Sequence, residues 1–260
     1  MQIVFIGAGN VATHLAEACK ESGNEIVQVY SRTMESATLL AGKTGAMPIH
    51  ELKQISPDAD LYLFSVKDDV LPSVIQQMPH TGGVWAHTAG SLPMQLFAAR
   101  TREYGVIYPL QTFSKQRKID FVSIPLFIEG SSPDTTLLLE ELARTLSRNV
   151  RHLSGEKRRY LHLAAVYACN FVNHMYTLAA EITGKEDIPF ELLIPLITET
   201  AAKVTEMTPQ AAQTGPAVRF DEAVMQSHLS LLTDQQMKDI YILISKSIYQ
   251  HARGSGQPVR

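Results

Sequence analysis

Met1-Gln2-Ile3-Val4-Phe5-Ile6-Gly7-Ala8-Gly9-Asn10-Val11-Ala12 decides how the rest of the chain is read. A short apolar run passes straight into a Gly-x-Gly turn. Beyond it, Val11, Leu15, Ala18 and Cys19 recur at helical spacing, and Gly23 is placed to end that helix in a left-handed conformation. Gly7 permits a tight turn, Gly9 lets an anion approach the backbone, and Ala12 keeps helix and strand close. Free amides and the positive end of the helix dipole then converge on the turn. The segment Gly7, Ala8, Gly9, Asn10 and Val11 therefore reads as a dinucleotide-binding turn. Its alternative is a glycine-rich bend without a ligand, and the strand, helix and second strand around it favour the first reading.

Outward from that turn, apolar runs at 26–30, 61–66, 83–86, 106–108 and 125–128 are short and continuous, as in strands covered on both faces. Amphipathic stretches separate several of them. The alternation predicts an α/β fold, a Rossmann-type doubly wound and mainly parallel sheet. A last strand is expected at 150–153. After it strand signals vanish, and 156–183, 190–206, 221–232 and 234–252 read as helices punctuated by Pro189, Pro209 and Gly215-Pro216. The expected domains are a nucleotide-binding one over 1–153 and an all-helical one over 154–260, with 254–260 frayed.

Composition narrows the function classes. The 260 residues are 45% hydrophobic and 19% charged, with a net charge of -3, which excludes a disordered chain and gives no basic footprint for nucleic acid. Low charge predicts surface buried between subunits. Cys19 and Cys169 both fall in apolar helical patterns and lack metal or redox spacing, so two buried thiols in a reducing compartment are expected. The sequence begins in a strand without a leader pattern, and the greasy stretch 161–182 carries His162, Asn170, Asn173, His174, Thr177 and Glu181, each costly in lipid. The expectation is a cytoplasmic protein with no membrane and no nucleic-acid partner.

After the second strand, where a carboxylate would hold the ribose hydroxyls of NAD, the chain has Ser31-Arg32-Thr33. A guanidinium flanked by hydroxyls suits a 2′-phosphate, so NADP (NADPH) is the expected cofactor. The other reading is an exposed arginine beside a helix cap. Ser65 and Val66 end the fourth strand, where an open sheet presents its ligand; the following Lys67-Asp68-Asp69 can also be a polar helix start.

Candidate chemistry is dispersed. His87, in His87-Thr88-Ala89-Gly90-Ser91, can polarise a carbonyl or deliver a proton, or merely bond the backbone while Ser91 caps a helix. Gln111 and Thr112 follow Tyr108-Pro109-Leu110 and can face the pocket. At about 100° per residue, Asn170, Asn173, His174, Thr177 and Glu181 form one polar arc, with His162 near its margin. That arc either lines a pocket, through Asn170 and Asn173, or forms a helix-helix network. Arg219 can clamp an anionic group or brace Asp221, which can cap a helix.

The Rossmann start, Ser31-Arg32-Thr33, the turn from His87 to Ser91, the run from Tyr108 to Phe113 and Gly215-Pro216-Ala217-Val218-Arg219 resemble bacterial proteins provisionally assigned as NADP oxidoreductases. In those, a Rossmann-like domain precedes a helical domain of unknown function. The architecture is similar to pyrroline-carboxylate reductases and β-hydroxyacid dehydrogenases as well. The resemblance implies a homodimer formed through the helical domain and an interdomain cleft. There hydride would pass to or from a small carbonyl or imine substrate, with His87, Asn170 and Asn173 as the catalytic candidates and Gln111 and Arg219 as substrate contacts. Ala89 stands where relatives carry serine, and Phe220 where glycine is expected. The lysine-asparagine pair of β-hydroxyacid dehydrogenases has no counterpart. Their mechanism is therefore not implied, and a non-catalytic NADP-binding sensor or assembly protein is the alternative.

Overall fold

The computed structural model describes residues 1–254. The expected frayed tail lies outside them except for Gly254, the last residue of a helix. The chain divides into two units, Met1–Phe171 and Val172–Arg260.

In the first unit, strands β1 (Gln2–Ile6), β2 (Glu25–Tyr30), β3 (Met47–Ile49), β4 (Leu61–Phe64), β5 (Val84–His87), β6 (Tyr104–Pro109), β7 (Leu126–Gly130) and β8 (Val150–His152) form one sheet. Their order is β3-β2-β1-β4-β5-β6-β7-β8. All neighbours pair in parallel except β6 and β7. The first six follow the doubly wound order, whose direction of winding reverses between β1 and β4. Helices α1 (Asn10–Glu21), α2 (Met34–Thr44), α3 (Leu71–Gln77) and α4 (Pro133–Leu146) connect them.

The continuous apolar runs are explained by burial on both faces. Ile3, Phe5, Leu61 and Leu63 join a core with Leu15 and Cys19 of α1 and Leu139 and Leu142 of α4. Val4, Ile6, Tyr62 and Phe64 join another with Leu71, Val74, Trp85 and Phe97. Burial pushes the Cys19 thiol up to about 12. Cys169 departs from expectation and is exposed.

After β8 the described residues hold no further strand. Helix α5 (Gly155–Ala165) runs through a π-helical turn (Val166–Phe171) into α6 (Val172–Lys185). Strand signals end near 153, whereas compactness divides the chain after Phe171, inside this helical run. The second unit continues with α7 (Ile194–Glu206), the short α8 (Pro209–Ala212) and α9 (Pro216–Arg219), α10 (Glu222–Leu231) and α11 (Gln235–Gly254). Asp221 caps α10 as expected, its carboxylate accepting from the Val224 amide.

Candidate active site at the carboxyl edge of the sheet

β1 ends at Ile6, and the chain turns at Gly7 with φ of 119°, a conformation that L side chains rarely adopt. The Gly7 amide donates to the Tyr30 carbonyl at 2.8 Å. A Cβ at Gly7 would fall 2.3 Å from the Ser65 carbonyl oxygen and 3.2 Å from the Val66 side chain. The glycine turn and the end of β4 thus lie against each other, and Ser65 and Val66 border the turn. At Gly9, the N-cap of α1, no heavy atom from elsewhere in the chain comes within 4 Å of a Cβ position. No side chain caps that helix, and its first turn holds no acid. An open cradle of uncapped amides at a positive helix end fits a pyrophosphate.

Beside the cradle, the Ser31 amide bonds the Ile49 carbonyl, while Arg32 is exposed and has no ion-pair partner among the described residues. Thr33 precedes α2 without capping it and donates to Ser36 at 2.9 Å. A guanidinium free of carboxylates is what a 2′-phosphate requires.

β5 brings a correction. His87 is wholly buried, with its ring 5.8 Å from that of Phe97. The Ala89 amide donates to its Nδ1 at 3.1 Å, which leaves the ring proton on Nε2. Burial, with the Arg158 charge adding to it, pushes the imidazole down to about 3. Burial of this degree favours the neutral ring and sets it back from the surface, which counts against His87 as the proton donor. Ser91 does not cap a helix either; it donates to the Asp68 carboxylate. That bond ties the turn after β5 to the turn after β4, as does Ser65 to Thr88 at 2.9 Å.

Two residues that sequence reasoning did not join meet here. The Tyr108 hydroxyl lies 3.0 Å from His162 Nδ1, and the two rings meet edge to face at 6.0 Å. Gly90 makes this possible, since a Cβ there would sit 2.7 Å from His162 Nδ1 and 2.8 Å from Tyr108 Cζ. Burial drives the Tyr108 phenol up to about 12; Arg158 opposes that rise and Asp68 adds to it. Tyr108 opens the Tyr108–Phe113 run and His162 borders the polar arc, but the pairing spans 54 positions, so no local signal could join them.

α5 is fixed by its own buried ion pair. Arg158 Nη1 donates to Glu129 Oε2 at 2.5 Å, and Nη2 donates to the Leu92 carbonyl at 2.6 Å. Glu129 also accepts from the Gly155 amide at 2.9 Å.

The remaining candidates are scattered. Gln111 is exposed, and its Oε1 accepts from the Thr112 amide at 2.8 Å. Further on, His14 Nε2 lies 3.0 Å from the Ser114 carbonyl, so this loop folds back on α1. Asn170 is exposed on the π turn, and the exposed Asn173 belongs to the second unit. The looser winding at 166–171 breaks the constant angular step on which the polar arc depends. Arg219 is exposed at the end of α9 and makes no ion pair with Asp221. Phe220 takes a left-handed conformation, φ 54°, and stacks on Tyr249 at 4.5 Å. Among the described residues no group of acids, histidines and cysteines could hold a metal, and no helix is long and apolar enough to cross a membrane.

The fold has known counterparts. A protein from Bacteroides fragilis, provisionally described as an NADP oxidoreductase, is 48% identical, with a TM-score of 0.90 over 96% of this chain and 98% of that one. The chain belongs to its family. Residues 2–84 match the family model "NADP oxidoreductase coenzyme F420-dependent", and residues 124–248 match "Domain of unknown function (DUF2520)". A reductive aminase from Aspergillus terreus, in complex with NADPH and ethyl-5-oxohexanoate, shares the fold at 17% identity and a TM-score of 0.71, over 98% of this chain and 94% of that one. An imine reductase from Myxococcus stipitatus, in complex with NADP+, does so at 18% identity and a TM-score of 0.64, again over 98% and 94%. A comparison with curated protein sequences finds no match.

Proposed function

We propose that the protein is an NADP(H)-dependent oxidoreductase that transfers hydride to or from a small carbonyl or imine compound at the carboxyl edge of its sheet. The observation that carries this reading is the cradle at Gly7 and Gly9, open over Gly9, bordered by Ser65 and Val66, with Arg32 exposed beside it and without an ion pair among the described residues. When bound, the reduced nicotinamide supplies hydride. The α1 amides hold the pyrophosphate, and Arg32 with Ser31 and Thr33 holds the 2′-phosphate. Thr88, fixed by Ser65, carries the edge toward Tyr108. Gln111, three residues after Tyr108, offers an amide to the substrate. Membership of an NADP oxidoreductase family supports the cofactor, and the oxo-ester bound by one distant fold relative and the imine reductase name of the other make carbonyl and imine compounds the first substrates to try.

The protein acts as a homodimer built through its helical unit. Of the described residues from 172 onward, only Ala217, Met237 and Ser245 are buried, while Leu192, Leu196, Leu231 and Leu243 are each more than 60% exposed. Helices gain their stability from packing an apolar face, and apolar surface on this scale needs a cover. A second copy supplies a matching one by symmetry.

Calorimetry with NADPH and NADH, on the wild type and Arg32→Ala, tests the cofactor. We expect preference for NADPH, reduced about 10- to 100-fold by the substitution, as for loss of a charge-assisted contact. An unchanged ratio, or binding of neither nucleotide to folded protein, overturns the reading.

A further inference from the structure

We propose that Tyr108 is the proton-transfer residue of this site and that His162 positions and recharges it; the inference rests on the oxidoreductase reading above. Hydride transfer to a C=O or C=N bond leaves an electron pair on oxygen or nitrogen that must be matched by a proton, and burial counts against His87 as its donor. Tyr108 stands at the carboxyl end of β6, one strand from the β5 extension where Thr88 bonds Ser65. Its hydroxyl has a partner able to hold a second proton, His162 Nδ1 at 3.0 Å. The pair is built rather than incidental. Gly90 leaves the space that both rings fill, and Arg158, one turn before His162 on α5, is locked to Glu129 and the Leu92 carbonyl. Residues four apart share a helix face, so that lock also sets the direction of the imidazole.

The balance is as follows. As the substrate carbon accepts hydride from NADPH, the π pair moves to the heteroatom, which takes the proton of the Tyr108 hydroxyl. The phenolate takes the proton on His162 Nδ1 while Nε2 takes one from solvent, so the half-buried His162 relays a proton and ends with the number it began with. One hydride and one proton turn C=X into CH–XH. The charged groups acting on the phenol are Arg158, itself paired with Glu129, and Asp68.

The test uses the full-length protein, NADPH, and two probe substrates, 1-pyrroline and cyclohexanone. Tyr108→Phe is expected to lower turnover about 100-fold, the lower range for loss of a general acid, with NADPH affinity unchanged. His162→Gln is expected to lower it less, in kcat rather than in KM for the probe substrate, as for a residue that acts through Tyr108. Independently of turnover, the imidazole 15N resonances of His162 are expected to move on saturation with NADP+ and to do so differently in Tyr108→Phe. That shift sustains the pair even where neither probe reacts. A His162 ring indifferent to NADP+, or turnover of Tyr108→Phe within twofold of wild type, overturns the inference. Failure of folded wild-type protein to bind either nucleotide removes the oxidoreductase reading instead.

Discussion

The two glycines of the first turn do different work, and substitution separates them. Gly7 has a positive φ and the Ser65 carbonyl 2.3 Å from its absent Cβ, whereas Gly9 faces open space. Gly7→Ala is therefore expected to lower the melting temperature and nucleotide affinity together. Gly9→Ala should melt like the wild type and bind NADPH at least about tenfold more weakly, a loss near 1.4 kcal/mol. Equal melting of the two variants counts against this account. His87 carries a second prediction. Its folded-state value near 3 lies below its ordinary 6.5, so below pH 6.5 the unfolded chain takes up a proton that the folded one refuses. Its contribution to stability is complete above pH 6.5 and declines between pH 6.5 and 3, by at most about 1.4 kcal/mol per pH unit. His87→Leu should flatten that part of a stability profile; an unchanged acid slope would show that the ring is not the group responsible.

At the scale of elements, α5 is held to the sheet by a charge pair out of water. Arg158 is fully buried and bonds both Glu129 and the Leu92 carbonyl. Removing one partner of such a pair leaves the other charge uncompensated, at a cost of about 3–5 kcal/mol. Chemical denaturation of Arg158→Met should show a loss of this order, and adding Glu129→Gln should recover part of it. Additive losses would mean that the two groups act independently. The same element shows the limit of reading periodicity. Its helical character was legible from spacing, but the π turn at 166–171 was not, because no residue type there forbids an α-helix. The polar arc from Asn170 to Glu181 assumed one unbroken angular step, and the π turn displaces Asn170 from it, whereas Asn173, His174, Thr177 and Glu181 share the regular helix α6. Strands were legible for the opposite reason: burial on both faces demands apolar residues at every position, and 3–6 and 61–64 comply.

For the whole molecule, the proposed homodimer is tested by mass. The wild type should sediment at about twice its 28.8 kDa mass. Leu231→Asp with Leu243→Asp, both on strongly exposed faces, should weaken the dimer and reduce helical circular dichroism together. A wild-type monomer with full helicity at micromolar concentration would refute the proposed homodimer.

The amino-acid sequence by itself determined seven of the eight strands, all but the short β3, together with the glycine cradle, the missing carboxylate after β2 and the change to helices after residue 153. Each is a local property: a backbone conformation only glycine tolerates, a periodicity, or a charge beside a known strand end. Tertiary structure alone decided which polar groups are usable. His87 and Tyr108 both lie buried near strand ends at the same edge, yet one packs against Phe97 and the other meets His162 across 54 positions. Ionisation and reach depend on burial and on partners distant in sequence, and only the folded chain brings those together.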